Sequence, residues 1–220
     1  MPERRETIDP LVTAAATTRQ IHGMHAHAAR HHTGAWAHPL DEWRRASRHR
    51  RAIGYWLVIA GWYVSVAGSV VIAPAPQVRL AALFVHLASV VVGLGAAVMV
   101  EYNGLLWISG RRRVGTVNEA AHTLSFVVWI GIIGLLASGM LLHPDFSKPL
   151  TDLKMAAVLL LALNGVAVTK LSNELWRLRP DMPFRRTPRA LRRWAIWSGT
   201  VSQIAWWSAV IIGMLNTASR

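Results

Sequence analysis

The sequence has no cysteine, and it is poor in charge for its length. Without cysteine the chain forms no disulfide, no thiolate metal site and no iron–sulfur cluster. Only 16% of its 220 residues are charged, whereas 53% are hydrophobic. This balance is untypical of a soluble domain and indicates an integral membrane protein. The first 52 residues contain no apolar core of the length that a signal peptide requires, so none is expected.

Acidic residues are also scarce. Eleven Asp and Glu stand against 24 Lys and Arg, and the formal net charge is +13. Such a charge on a soluble chain would suggest nucleic acid, but here the basic residues lie between long apolar runs. We interpret them as topology signals and as contacts with anionic lipid headgroups, and we expect no nucleic-acid partner.

Five apolar segments are each long enough to cross a hydrocarbon core of about 30 Å as a helix. They are predicted at about 53–73, 80–100, 123–143, 152–171 and 194–215. The expected fold is therefore an all-α integral membrane bundle of five transmembrane helices. It would follow a polar arm over residues 1–52 and precede a short external tail at 216–220.

The connections between the segments predict the orientation. Arg and Lys crowd the arm, the connection with Arg111, Arg112 and Arg113, and the stretch 170–193, whereas the alternate connections hold only Arg79 and Lys148. Because positive loops stay in the cytoplasm, the N-terminus is expected inside and the C-terminus outside the cytoplasmic membrane.

Small residues recur at helical spacing in two of the segments. Ser89, Gly93 and Ala97 share one face of the second segment, and Gly134 and Ser138 share one face of the third. This spacing lets helix backbones approach closely in lipid, so these faces are predicted to pack inside the bundle.

Histidine and methionine gather in the outer half of the predicted bundle. His86 shares the small-residue face of the second segment, Met140 and His143 end the third, and Met155 opens the fourth; Met214 belongs to the same layer. Imidazole and thioether suit copper, and thioether favours the cuprous ion. The layer therefore indicates a copper site at His86, His143, Met140 and Met155. The alternatives are ordinary core packing and a haem b held axially by His86 and His143.

A second set of polar residues lies at the cytoplasmic ends of the helices. They are expected to form a headgroup-level network or an inner exit site. The members are Glu101, His122, Lys170, Asn173 and Glu174. Asn164 differs because it lies near the middle of the fourth segment, where an unpaired amide is costly, so we expect it to bond to another helix.

The arm contains a cluster of five histidines, called the arm histidines below. They include i+3 and i+4 pairs, so either a helix or an extended chain would bring imidazoles together. They are His22, His25, His27, His31 and His32. The cluster is a candidate secondary metal site on the cytoplasmic side, or a solvated basic arm without such a role.

Four short motifs carry a family resemblance over residues 84–180. They are HLASVVVGLG at 86–95, SGMLL at 138–142, LKMAAVLLLALN at 153–164 and RLRP at 177–180. With these the chain resembles the integral membrane proteins of the bacterial copper-resistance D family. The resemblance implies a helical bundle that handles copper across the cytoplasmic membrane, and His86 matches the histidine that opens the first shared helix of that family.

Three functions are open at this point. The leading hypothesis is a multi-pass protein that binds or translocates a metal ion, most readily copper. The second is a non-catalytic accessory or anchoring subunit of a larger membrane complex, and the third is a haem b electron-transfer subunit. No hydrolytic triad, phosphate loop or pair of catalytic carboxylates is evident, so no catalytic residue is predicted and an enzyme is not expected.

Overall fold

The computed structural model describes the backbone of residues 37–218 and the side chains of residues 49–216. This part of the chain is helical, without strands. The long helices are α1 (Ala37–Val71), α2 (Pro76–Ile108), α3 (Val114–Gly139), α4 (Pro149–Leu175) and α5 (Arg189–Ala218), and a 3₁₀ turn lies at Phe184–Arg186. Each long helix contains a stretch long and apolar enough to cross a membrane. The predicted all-α class with five spanning helices is confirmed.

The helix bounds differ from the predicted spans because hydropathy measures the apolar length and not the helical length. Helix α2 continues to Ile108, and its 33 residues measure about 50 Å, which exceeds a hydrocarbon core of about 30 Å. Helix α3 begins at Val114 and ends at Gly139, four residues before the predicted end at His143. His143 precedes Pro144 and has φ of 48°, a left-handed conformation that does not continue a helix.

The bundle has two distinct ends, named here by their connections. The hairpin end holds the short connections 72–75 and 140–148, and the basic end holds 109–113 and 176–188. Antiparallel neighbours result, with α2 packed along α3 and α4 along α5. The packed unit considered below is residues 53–216.

The predicted small-residue faces form the closest helix contact. Gly93 of α2 meets Gly131 of α3, and a Cβ atom on Gly131 would collide with the Cα atom of Gly93. A Cβ on Gly134 would likewise collide with the side chain of Ser89. These positions are helical and carry no special backbone angle, so it is the closeness of the two backbones that requires glycine.

Two buried apolar clusters hold the helices together. The central cluster contains residues from all five long helices, among them Val58, Ile132, Leu161 and Trp206. The cluster at the basic end surrounds Trp107, whose ring meets Phe184 edge-on with centroids 4.9 Å apart. Backbone bonds from Val114 N to Met182 O (3.2 Å) and from Gly115 N to Pro180 O (3.0 Å) hold the 176–188 connection against α3.

Large apolar side chains also cover the outside of the bundle. Trp56, Phe84, Phe126 and Trp197 are each about 70% exposed, and many aliphatic side chains lie beside them. Exposure of so large an apolar surface to water is unfavourable, whereas lipid acyl chains solvate it. The exposed face agrees with a multi-pass membrane protein.

Candidate ligand-binding cavity

A cavity of about 900 Å³ lies at the hairpin end of the bundle. All five helices contribute to its wall, together with the connections around Pro74 and Pro144. Its apolar walls include Leu83, Leu87 and Val210. A concave, mainly apolar space of this size with few polar groups is typical of small-molecule sites.

Among the described residues that line this cavity, His86 is the one histidine. It lies ten residues into α2, about 15 Å along the helix from Pro76. Its Nδ1 atom is 3.0 Å from Oγ of Ser138, a buried residue of α3. Helices α2 and α3 therefore hold the imidazole from two sides.

The partners of Ser138 determine the tautomer of His86. The Ser138 hydroxyl donates to the carbonyl oxygen of Gly134 at 2.5 Å, so its proton is engaged. The oxygen is then left to accept, which places the imidazole proton on Nδ1. Nε2 of His86 then keeps its lone pair. This arrangement is typical of a metal-ligating histidine, whose second nitrogen is oriented by a neighbouring acceptor.

Of the four predicted metal ligands, the structure brings two to the cavity. His86 and Met155 line it, and so does Met214 of the same predicted layer. Met140 is the C-cap of α3 and packs against Gly68 of α1. His143 lies in the connection beyond α3, because the helix ends before it. Neither Met140 nor His143 is part of the lining.

Side chains of α1 fix the wall around Met155. The indole Nε1 of Trp62 donates to the Met155 carbonyl at 3.0 Å, and the Ser65 hydroxyl donates to the Leu136 carbonyl at 2.6 Å. Each bond joins α1 to another helix, α4 in the first case and α3 in the second. A polar group in lipid has no water to bond to, so these interhelical bonds stabilise the packing of α1 against the cavity wall.

The described residues contain no group of three or more His, Asp or Glu side chains able to hold a metal ion. A zinc site built from three or more such ligands is therefore not found in that part of the chain. A metal site in the cavity would need thioether ligands, and those suit cuprous copper.

Trp206 lies deep in the cavity and was not singled out by the sequence. It is ten residues from Asn216, which also lines the cavity, and so about 15 Å deeper along α5. Its ring packs against Gly93, and it is 1% exposed. No described residue accepts a hydrogen bond from its Nε1. The available signal was its place in mid-helix, away from the membrane interfaces where tryptophan usually lies.

Four charged residues line the cavity near the starts of α2 and α4 or in the connection before α4, and they are here called the rim. They are Arg79 of α2, Asp145 and Lys148 of the connection, and Lys154 of α4. Three are basic and one is acidic. Sequence reasoning used Arg79 and Lys148 only as topology signals, because nothing in a linear pattern places them around one opening.

The five residues of the predicted inner network do not join one another. Lys170 lies over the ring of Trp194 at 5.2 Å, and Glu174 forms an exposed ion pair with Arg177 at 3.0 Å. The Glu101 carboxylate contacts Gly199 of α5. His122 and Asn173 are exposed.

Other polar pairs link the helices at the basic end. The Ser172 hydroxyl donates to Oδ1 of Asn118 at 2.6 Å, which joins α4 to α3. Arg112 donates to Oδ1 of Asn103. Both asparagines are buried, and the sequence reasoning missed them because they lie in helical segments outside the predicted spans.

Asn164 forms the interhelical bond that its mid-helix position predicts. Its Nδ2 donates to the Ser198 carbonyl and its Oδ1 accepts from the Ser198 hydroxyl, both at 2.9 Å. This reciprocal pair joins α4 to α5, and the prediction is confirmed.

The arm histidines lie outside the described residues. The comparisons with protein-family models, with curated proteins and with solved structures gave no match.

Proposed function

We propose that this multi-pass protein binds a soft metal ion, cuprous copper before others, in the cavity at the hairpin end. The observation that carries the proposal is the pairing of His86 with Ser138, which leaves Nε2 of the imidazole able to act as a ligand. Met155 and Met214 line the same cavity and could contribute thioether ligands. One imidazole with two thioethers is a soft set that suits copper(I).

The proposed ligand set changes one part of the sequence prediction. Met214 takes the place of Met140 and His143, which do not line the cavity. A bis-histidine haem loses support for the same reason, since His143 and His86 do not share a lining surface. When bound, copper would supply a soft cation. The chain's own part is to orient His86.

Location and direction belong to the same proposal. The basic end carries Arg111, Arg113, Arg177, Arg185 and Arg186, which favours a cytoplasmic position for that end in the cytoplasmic membrane. The cavity would then open on the outer side, and the arm histidines would lie in the cytoplasm. The resemblance to copper-resistance D proteins is a further reason to name copper.

The test is copper(I) binding to protein purified without a histidine tag. The arm histidines are replaced by glutamine so that only the cavity contributes, and affinity is measured by competition with a chromogenic copper(I) chelator. We expect one copper per chain, lost in His86→Ala and weakened at least about tenfold in Met155→Leu. Met99→Leu is the matched control, since Met99 is an exposed residue of α2 away from the cavity.

Three other outcomes would each overturn the proposal. Binding that survives His86→Ala would place the metal elsewhere. A Soret band in the purified protein would favour the haem alternative. Absence of both metal and colour, together with co-purification of companion subunits, would favour the accessory-subunit alternative.

A further inference from the structure

The described residues of the rim carry more positive than negative charge. Arg79, Lys148 and Lys154 stand against a single carboxylate, Asp145. Arg79 forms no ion pair with any residue whose side chain the structure describes. Because the opening lies between low-dielectric walls, its field is focused and attracts anions.

The walls below the rim are apolar. Leucine and valine side chains occupy the depth between Arg79 and Trp206, among them Leu80, Leu83, Val158 and Val210. The volume of about 900 Å³ is far larger than a metal ion needs and lies in the range of organic ligands. The space below the charged opening thus suits an apolar body.

We propose that the cavity binds an amphipathic organic anion. Its acidic group contacts Arg79, and its apolar body lies along the leucine and valine walls. The inference is independent of copper, since it uses the rim and the walls and not the metal ligands.

The test uses dansylaminoundecanoic acid as the probe. It has a carboxylate, an apolar chain and sulfonyl acceptors, and its methyl ester lacks the charge. Both are titrated against the full chain in phosphatidylcholine nanodiscs, with a copper chelator present and empty nanodiscs as background. Directly excited dansyl emission is the readout. We expect the acid to bind at least about tenfold more tightly than the ester.

One variant tests the charged contact. Arg79→Gln should weaken binding of the acid about tenfold and leave the ester unchanged, because it removes a charge-assisted bond. Arg111→Gln is the control, an exposed arginine at the basic end.

A further titration, with phosphatidylglycerol added to the nanodiscs, identifies the source of the anion. Displacement of the probe by this lipid supports the proposal with a lipid headgroup as the acidic group, and retention of the probe supports it with a free amphiphile. Equal binding of acid and ester, or unchanged binding of the acid in Arg79→Gln, would overturn the proposal.

Discussion

Ser138 of α3 accepts a hydrogen bond from the imidazole of His86 across the α2–α3 interface, at 3.0 Å. The Ser138 hydroxyl donates its proton to the Gly134 carbonyl, so in its bond with His86 the serine is the acceptor and the imidazole the donor. The small-residue stripe and the intramembrane histidine, which the sequence already predicts to share one face of α2, therefore form one structural unit. The stripe allows the close approach, and the approach orients the histidine.

Ser138→Ala should lower copper(I) affinity while the protein still folds. Without the hydroxyl the imidazole can rotate and can carry its proton on either nitrogen, so we expect a loss of about tenfold or more. The measurement is chelator competition in the variant that lacks the arm histidines. Ser125→Ala is the control, because that exposed hydroxyl bonds only to its own helix at the His122 carbonyl. If Ser138→Ala binds copper(I) with wild-type affinity, the serine does not orient the histidine for binding.

Gly131→Ala should destabilise the bundle. The added Cβ would collide with the Cα atom of Gly93, and neither backbone can move without separating α2 from α3. We expect a loss of about 1–3 kcal/mol in the free energy of unfolding, measured by denaturant titration in detergent. Gly95→Ala is the matched control, because its Cβ would meet nothing within 4 Å. A similar loss in both variants would attribute the effect to helix substitution in general and not to the interface.

Asn164 and Ser198 should be energetically coupled. Their two bonds of 2.9 Å join α4 to α5, so either single substitution to alanine leaves a polar group without its partner. In a double-mutant cycle we expect a coupling of about 0.6 kcal/mol or somewhat more. The readout is the free energy of unfolding in detergent. Additive effects of the two substitutions would show that the pair contributes nothing beyond its separate members.

The absence of cysteine makes the predicted orientation directly testable. Single cysteines are introduced at Ser147, in the hairpin-end connection, and at Arg179, in the exposed basic-end connection. If the basic end is cytoplasmic, a membrane-impermeant maleimide should label Ser147→Cys in intact cells and Arg179→Cys only after permeabilisation. The cysteine-free chain is the background control. The reverse labelling pattern would invert the bundle and place the cavity on the cytoplasmic side.

The amino-acid sequence by itself determined the fold class and the number of spanning helices. Hydrophobic length is a local property, and a bilayer requires each backbone polar group to be satisfied within a helix, so five apolar runs predict five helices. It also determined the close α2–α3 contact, because small residues at i and i+4 fall on one face whatever the neighbours are. The partner need of Asn164 followed from its depth alone.

Only the tertiary structure decided which side chains share a cavity. Met140 and His143 fit a metal layer by depth, but rotation about the helix axis directs Met140 towards Gly68, and the left-handed residue before Pro144 puts His143 outside α3. Trp206 and Arg79 reach the same space from different helices. Depth can be read from one segment, whereas facing direction and convergence depend on how five segments pack, and no single run of residues contains that information.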